Sequence, residues 1–492
     1  MAEDKYETHE YDVVVIGAGG AGLRAAVEAS AQGVKTALVC KSLLGKAHTV
    51  MAEGGIAAAM GNVYPEDNWR VHFRDTMRGG KLLNNWRMAQ IHAQEAPDRV
   101  LELEEWGALF DRTKEGLILQ RDFGGHRYAR LAHVGDRTGL EMIRTLQQHA
   151  VHKGIDVYME CNLQRLLTDG GRISGAFGYW RESGKFILFK CKAVVLATGG
   201  GGKAWKVTSN SWEYTGDGVT MALDAGADLM DMEFIQFHPT GMVWPPSVRG
   251  ILVTEGVRGD GGTLKNTEGK RFMFGYIPEF FKAETADTEK EADAWYDDKR
   301  NNRRTPDLLP RDEVARAINS EVKAGRGTPH GGVFLDIASR RPADYIQRRL
   351  PSMYHQFKEL ADVISPKNQW KSARPAITRW AASESMPIAR QRRCRDYLPL
   401  AKSLRGSTVP IGSVATRFRI CWCSAGARVS TPLNTRNPLA ARFPSITISS
   451  INTPTISWHR LRPLARKTRT RSTPICNNAC RSSSASFASS PS

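Results

Sequence analysis

The sequence predicts an α/β chain in which a doubly wound dinucleotide-binding domain carries a second domain inserted into it. Three observations lead there. A β-branched run from Asp12 to Ile16 meets a glycine-rich turn and a small-residue helix ending near Gly33, and a second strand follows at Thr36 to Cys40, which is a βαβ opening. Further strands are expected at Asp156 to Glu160, in a hairpin of Ile173 to Tyr179 with Phe186 to Cys191, and at Ala193 to Ala197. From about Thr240 to Leu350 the character changes to glycine-rich turns, a charged stretch at Lys282 to Arg304 and a helix-like segment at Asp312 to Lys323.

Composition narrows the function classes. The net charge of +18 over 492 residues suggests a nucleic-acid or anionic-membrane partner until it is located along the chain. Residues 371–492 hold 21 of the 69 basic and 2 of the 51 acidic residues, so the first 370 are close to neutral and no nucleic-acid partner is expected. Cys40, Cys161 and Cys191 are too widely spaced for a metal site or a disulfide framework, so no metal is expected and a reducing compartment fits. Met1 to Tyr11 is charged, and no apolar run approaches the roughly 20 residues that cross a bilayer, so neither a span nor a secretory signal is expected.

The opening turn, Gly17-Ala18-Gly19-Gly20-Ala21-Gly22, is a GxGxxG between strand and helix. Gly17, Gly19, Gly20 and Gly22 then let backbone N–H groups at the helix N-terminus face a pyrophosphate. The acidic residue that would hold a ribose at the end of the second strand is missing, and Cys40-Lys41-Ser42 stands there instead, which weakens an NAD reading more than an FAD one.

The segment from Gly45 to Ile56 (Gly-Lys-Ala-His-Thr-Val-Met-Ala-Glu-Gly-Gly-Ile) resembles the flavinylation segment of the flavoprotein subunits of succinate dehydrogenase and fumarate reductase. The resemblance implies FAD bonded covalently through His48, with Lys41, Ser42, Thr49, Gly54 and Gly55 among its contacts. Ala197-Thr198-Gly199 after a buried strand, and Asp217 in Tyr214-Thr215-Gly216-Asp217-Gly218, resemble later FAD contacts of the same superfamily. Phe237-His238-Pro239-Thr240-Gly241, then Val253 to Gly262, then Leu309-Pro310-Arg311-Asp312 recur there in this order. By that match His238, Thr254 and Glu255 contact a dicarboxylate, Arg311 is the catalytic proton donor or acceptor, and Glu255 and Arg258 form its relay to solvent.

The resemblance covers residue 11 to about 363 and implies domains at 1–240 (FAD-binding), 241–350 (an α+β capping domain) and 351–364 (the return to the first). It further implies succinate and fumarate as substrates, a partner iron–sulfur subunit, membrane anchor subunits indirectly, and a peripheral place on the inner face of the cell membrane. A soluble relative such as L-aspartate oxidase is the rival, against which His48 stands, and a non-catalytic remnant is another.

Beyond about Ile364 periodicity fades, Ser, Arg, Thr and Pro dominate, and residues 365–492 are expected to form a disordered tail, leaving the family's C-terminal helical domain missing. Trp380, Trp422 and Trp458 are unusual in such tails. The genetic code accounts for them. Codons read from the third base of one residue and the first two of the next, over Thr408 to Arg428, permit Gly-Ser-Asn-Arg-Leu-Gly-Gly-Asn-Ser-Leu-Ser-Asp-Leu-Leu-Val-Phe-Gly-Arg-Arg-Ala. That contains the Asn-Arg-Leu-Gly-Gly-Asn-Ser segment the family carries, and the same shift over Lys367 to Met386 permits its His-Tyr-x-Met-Gly-Gly. A net one-base frame change near Ile364 to Lys367 is therefore expected.

Overall fold

A computed structural model describes residues 6–360, except 206, 230, 235 and 236, and four two-residue strands between 376 and 399. The chain opens with β1 (Tyr6–Ile16), α1 (Gly20–Ala31) and β2 (Thr36–Val39). Then come β3 (Ile56–Ala57), α2 (Trp69–Gly79), α3 (Trp86–Glu105), β4 (Gln120–Arg121), β5 (Leu131–Ala132) and α4 (Thr138–His152). The strands β6 (Asp156–Tyr158), β7 (Cys161–Asp169), β8 (Arg172–Trp180) and β9 (Phe186–Leu196) complete the main sheet. Next are α5 (Asp217–Asp224), β10 (Asp228–Leu229) and β11 (Phe237–His238). A second lobe holds α6 (Gly256–Gly259), β12 (Thr263–Lys265), α7 (Glu289–Ala294), α8 (Arg311–Lys323), β13 (Val333–Asp336), α9 (Ala343–Arg349) and α10 (Pro351–His355).

The main sheet runs β6-β2-β1-β9-β8-β7, parallel across its first four strands and antiparallel in the β9-β8-β7 meander. Its centre is buried on both faces, as a parallel sheet requires. Val13 and Val15 of β1 enter one core with α1, α4 and Ala193 and Val195 of β9, while Val14 and Ile16 enter the other with Phe189, Val194 and Leu196. A third core draws only on residues from Met242 to Phe357, including Val257, Leu309, Val314, Ile318 and Leu335.

Three strand expectations are corrected. β1 starts at Tyr6, inside the charged stretch, because several of its polar residues find partners at the sheet's end: Trp180 Nε1 donates to Glu7 at 3.0 Å and Lys190 pairs with Glu10 at 2.9 Å. Phe186 to Leu196 is one strand rather than two, since Lys192, where periodicity broke, points outward to Asp12 at 2.6 Å. β7 was not anticipated, as its apolar residues follow no strict alternation and its register with β8 shifts twice.

The expected return segment 351–364 is described only as far as residue 360, where α10 is followed by one π-helical turn. Residues 365–492 lie outside the described residues, apart from Ala376–Ile377, Ala381–Ala382, Ala389–Arg390 and Leu398–Pro399, whose backbones pair with β13, β11, β10 and β9. The proposed frame change near Ile364 to Lys367 thus lies outside the described residues.

Candidate functional site

The glycines of the opening turn are there because nothing larger fits. Gly17 has φ +108°, and a Cβ on it would sit 2.3 Å from the Ala197 carbonyl oxygen. A Cβ on Gly22 would come within 1.6 Å of the Gly17 oxygen, so α1 and β1 meet backbone to backbone. Gly20 N donates to Thr49 Oγ1 at 3.1 Å, which draws the 48–51 turn onto the N-terminus of α1. Gly199 has φ +71° and a Cβ there would overlap the Tyr214 ring, while Gly218, at the start of α5, faces Thr198. The result is a cradle of exposed backbone between two helix N-termini, of a form that fits a pyrophosphate. Lys41 Nζ reaches Asp217 at 2.7 Å and Thr215 at 2.8 Å, so the two ends of the expected FAD set are joined by an ion pair. Ser42 meets the sheet through its carbonyl, which accepts from Glu160 N at 3.2 Å.

His48 is buried. Its Nδ1 accepts the Ser211 N–H at 3.2 Å and its ring lies 4.7 Å from that of Tyr214. The segment behind it is held by α4: Gly139 N donates to Ala52 O at 2.6 Å, and a Cβ on Gly139 would collide with Thr49 O. Gly55, at φ +124°, packs on Ala132 and His133.

The second constellation sits at the edge of the other lobe. Arg311 opens α8 and its Nε donates to Glu255 Oε2 at 3.0 Å. Glu255, fully buried, accepts the Gly124 N–H on Oε1 at 2.7 Å. Arg258 is fully buried; Nη1 donates to Asp307 O, and Nη2 lies 3.7 Å from Glu255 Oε2. Burial pushes the Arg258 pKa below its ordinary value, with Arg311 acting the same way against Glu255 and Asp307. His238 Nδ1 lies 3.2 Å from Thr240 N and 3.0 Å from Thr240 O. Burial, then the Arg311 and Arg258 guanidiniums, hold its pKa well below the usual histidine value, so the imidazole is neutral at pH 7. Thr254 is buried beside them and its Oγ1 accepts from Gly256 N at 3.3 Å.

Residues that sequence reasoning missed join the two halves. Arg121 donates through Nε to Gly54 O at 2.8 Å and through Nη2 to Glu53 O at 2.5 Å. Phe123 packs against Gly54, where a Cβ would come within 2.7 Å of its ring, and the Arg311 guanidinium lies 5.6 Å from the same ring. Gly124 supplies the N–H that holds Glu255. Glu53 is half-buried with its carboxyl inward, and burial of that carboxyl, then Asp136, push it well above the usual range, against Arg121. The Gly124-Gly125 pair after an aromatic was the available signal for this loop.

His133, behind Gly55, gives a pH-dependent expectation. Burial and then Arg121 lower its pKa to about 4 despite the Asp111 carboxylate 2.9 Å away. A histidine lowered in the folded state gives stability that is full above the unfolded value near 6.5 and is lost as pH falls toward 4. The loss is about 1.4 kcal/mol per pH unit. Urea midpoints followed from pH 6.5 to 4 are expected to fall less steeply in His133→Gln than in the parent, and parallel slopes would refute the assignment.

Among the described residues no group of three or more His, Cys, Asp or Glu could hold a metal ion, and no helix is long and apolar enough to cross a membrane. The family model described as FAD binding domain matches residues 12–391. Among curated proteins, the chain is 45% identical over 355 residues to a fumarate reductase (CoM/CoB) subunit of Methanothermobacter marburgensis, covering 72% of this chain and 60% of that protein. It is 38% identical to the succinate dehydrogenase flavoprotein subunit of Rickettsia conorii, covering 72% and 56%. The chain thus spans less than two thirds of the length of these relatives. Among solved structures it is similar to Mycobacterium smegmatis Sdh1 in complex with UQ1, at 57% identity and a TM-score of 0.65 over 83% of this chain and 67% of that one. It is also similar to a quinol-fumarate reductase with menaquinol molecules, at 32% identity and a TM-score of 0.71 over 83% and 69%.

Proposed function

This chain belongs to the FAD binding domain family, and from that premise we propose that it is the flavoprotein subunit of a succinate dehydrogenase or fumarate reductase. The observation that carries the reading is the buried Arg311–Glu255–Arg258 ion chain beside a neutral His238, abutting the glycine cradle through Phe123 and Arg121. Two facing constellations of this kind suit a dicarboxylate on one side and a redox group on the other.

Gly17, Gly19, Gly20 and Gly22 would hold the pyrophosphate of FAD, Lys41, Ser42, Asp217, Ala197, Thr198 and Gly199 its flanks, and Thr49, Gly54 and Gly55 its reactive end. Bound FAD supplies the acceptor for the hydride that succinate loses from one methylene carbon. The chain's own residues bind, orient and move the proton. His238 and the Thr254 hydroxyl hydrogen-bond a substrate carboxylate, and a neutral imidazole does so without adding charge to the two arginines already buried there. Arg311 spends only Nε on Glu255 and makes no other hydrogen bond among the described residues, which leaves its Nη groups for the substrate. It takes the proton from the second methylene carbon, or gives it back in fumarate reduction. Glu255, hydrogen-bonded to Arg311 and close to Arg258, passes that proton along, and an Arg258 whose pKa burial has lowered is suited to relaying it.

Covalent attachment through His48 belongs to the same reading. Nδ1 is occupied by the Ser211 N–H, so the bond would be made from Nε2. An iron–sulfur subunit, anchor subunits and a peripheral place on the inner face of the membrane follow for a protein of this kind. The gene is proposed to carry a one-base frame change near codons 364 to 367, so tests of activity use the frame-restored product. A denaturing gel of that product is expected to show a flavin-fluorescent band that vanishes in His48→Ala, and fluorescence retained by the variant would sink the attachment.

A further inference from the structure

A cavity of about 510 Å³ lies between the two lobes, with walls drawn from residues 64–128 on one side and 281–310 on the other. Its size is within the roughly 300–1,000 Å³ of small-molecule sites. Six Lys or Arg line it against four Asp or Glu, an excess of two positive charges. Most of these charges are matched across or along the seam: Arg78 with Glu284 at 3.2 Å, Arg303 with Glu291 at 2.8 Å, and Lys299 and Arg304 both with Asp122, at 2.6 and 3.3 Å. The other four charges on the lining are Arg127, Arg300, Glu66 and Asp75, of which Asp75 is paired with the buried Arg130 at 2.9 Å. Arg127, from the first lobe, bonds through its backbone to Asp75 and lays its guanidinium 5.6 Å from the Tyr128 ring. Arg300, from the second, bonds only through its backbone to Asp298. Neither guanidinium forms an ion pair within 4 Å of a carboxylate among the described residues, Asp298 acting on Arg300 only at longer range, and both are exposed at the cavity.

We propose that this cavity binds a compact dianion, a small dicarboxylate or an inorganic oxyanion, bridged between Arg127 and Arg300 and so tying the second lobe to the first. One unpaired guanidinium on each wall is the arrangement that bidentate recognition of a two-ended anion needs. The site is separate from the proposed catalytic one. Leu309 and Pro310 line the cavity while Arg311 turns away to Glu255, and the Gly124 N–H, next to the lining residue Gly125, is given to Glu255. The dicarboxylate reading enters only in the choice of malonate as one probe.

The test is thermal unfolding of the FAD-loaded, frame-restored protein with malonate, phosphate or sulfate at constant ionic strength. His238→Gln serves as the background in which the proposed catalytic contact is removed. At least one of the three is expected to raise the midpoint with saturation, and Arg127→Gln combined with Arg300→Gln is expected to raise its apparent Kd at least tenfold. Arg316→Gln, an exposed arginine on α8 paired with Asp312, is a charge control expected to change nothing. Saturation at lower malonate than phosphate assigns the dicarboxylate class, and the reverse order assigns the oxyanion. The proposal is overturned if no anion stabilises this background, or if the double variant responds as its parent does. Succinate turnover is measured separately, so a protein without turnover that keeps the Arg127- and Arg300-dependent shift would overturn the functional reading alone.

Discussion

Arg311→Ala in the frame-restored protein is expected to lower kcat for succinate oxidation by about 10²- to 10⁴-fold, the range that one positioned proton-transfer group contributes. FAD content is expected to stay near that of the parent, because Arg311 touches the cofactor half only through the Phe123 ring. Arg311→Lys keeps the charge but not the planar fork that leaves Nη groups free while Nε holds Glu255, so it is expected to recover little of the loss. A kcat within a few-fold of the parent in Arg311→Ala would return this residue to the role of a buried ion-pair partner. Loss of bound flavin in the variant would mean the defect is one of folding.

The second large effect concerns the 492-residue product expressed as it stands. The proposed frame change would replace the Asn-Arg-Leu-Gly-Gly-Asn-Ser and His-Tyr-x-Met-Gly-Gly segments, from which the resemblance draws a substrate-binding histidine and arginine and a closure over the flavin. It would also replace the sequence that, on the proposed reading, completes the first lobe's sheet and core. A net folding margin of about 5–15 kcal/mol does not survive the loss of such a share of the buried apolar surface. The unrestored product is therefore expected to be largely insoluble and to reduce no artificial dye with succinate, while the restored product is soluble and active. Dye reduction by the purified unrestored chain would show its C-terminal sequence to be functional and the frame change to be wrong.

Much of this was legible because it is written in local patterns. The β1–α1–β2 opening shows as a β-branched run, glycines and a second apolar run, and Gly17 and Gly22 are glycine for contacts that any βαβ turn imposes. The ordered motifs around His48, His238, Glu255 and Arg311 gave the two constellations, and the chain does bring Arg311, Glu255 and Arg258 into contact. What connects those constellations was not legible. Arg121 acts on backbone carbonyls of Glu53 and Gly54, and Gly124 acts through a backbone N–H. Such contacts depend on how β4 and the following loop lie in space and leave no periodicity. The charge of Lys282 to Arg304 was visible, but its division into paired residues and an Arg300 without an ion pair depends on where Arg78 and Asp122 arrive from other elements.

The Phe123 ring works as a shim. A Cβ on Gly54 would come within 2.7 Å of the ring's Cζ, leaving no room for even a methyl group, and the Arg311 guanidinium lies 5.6 Å from the same ring. One rigid side chain thus stands where the two proposed sets of residues, the Gly54 segment and Arg311, come together. A swap to leucine or tryptophan there would alter that contact without changing any residue of either proposed set.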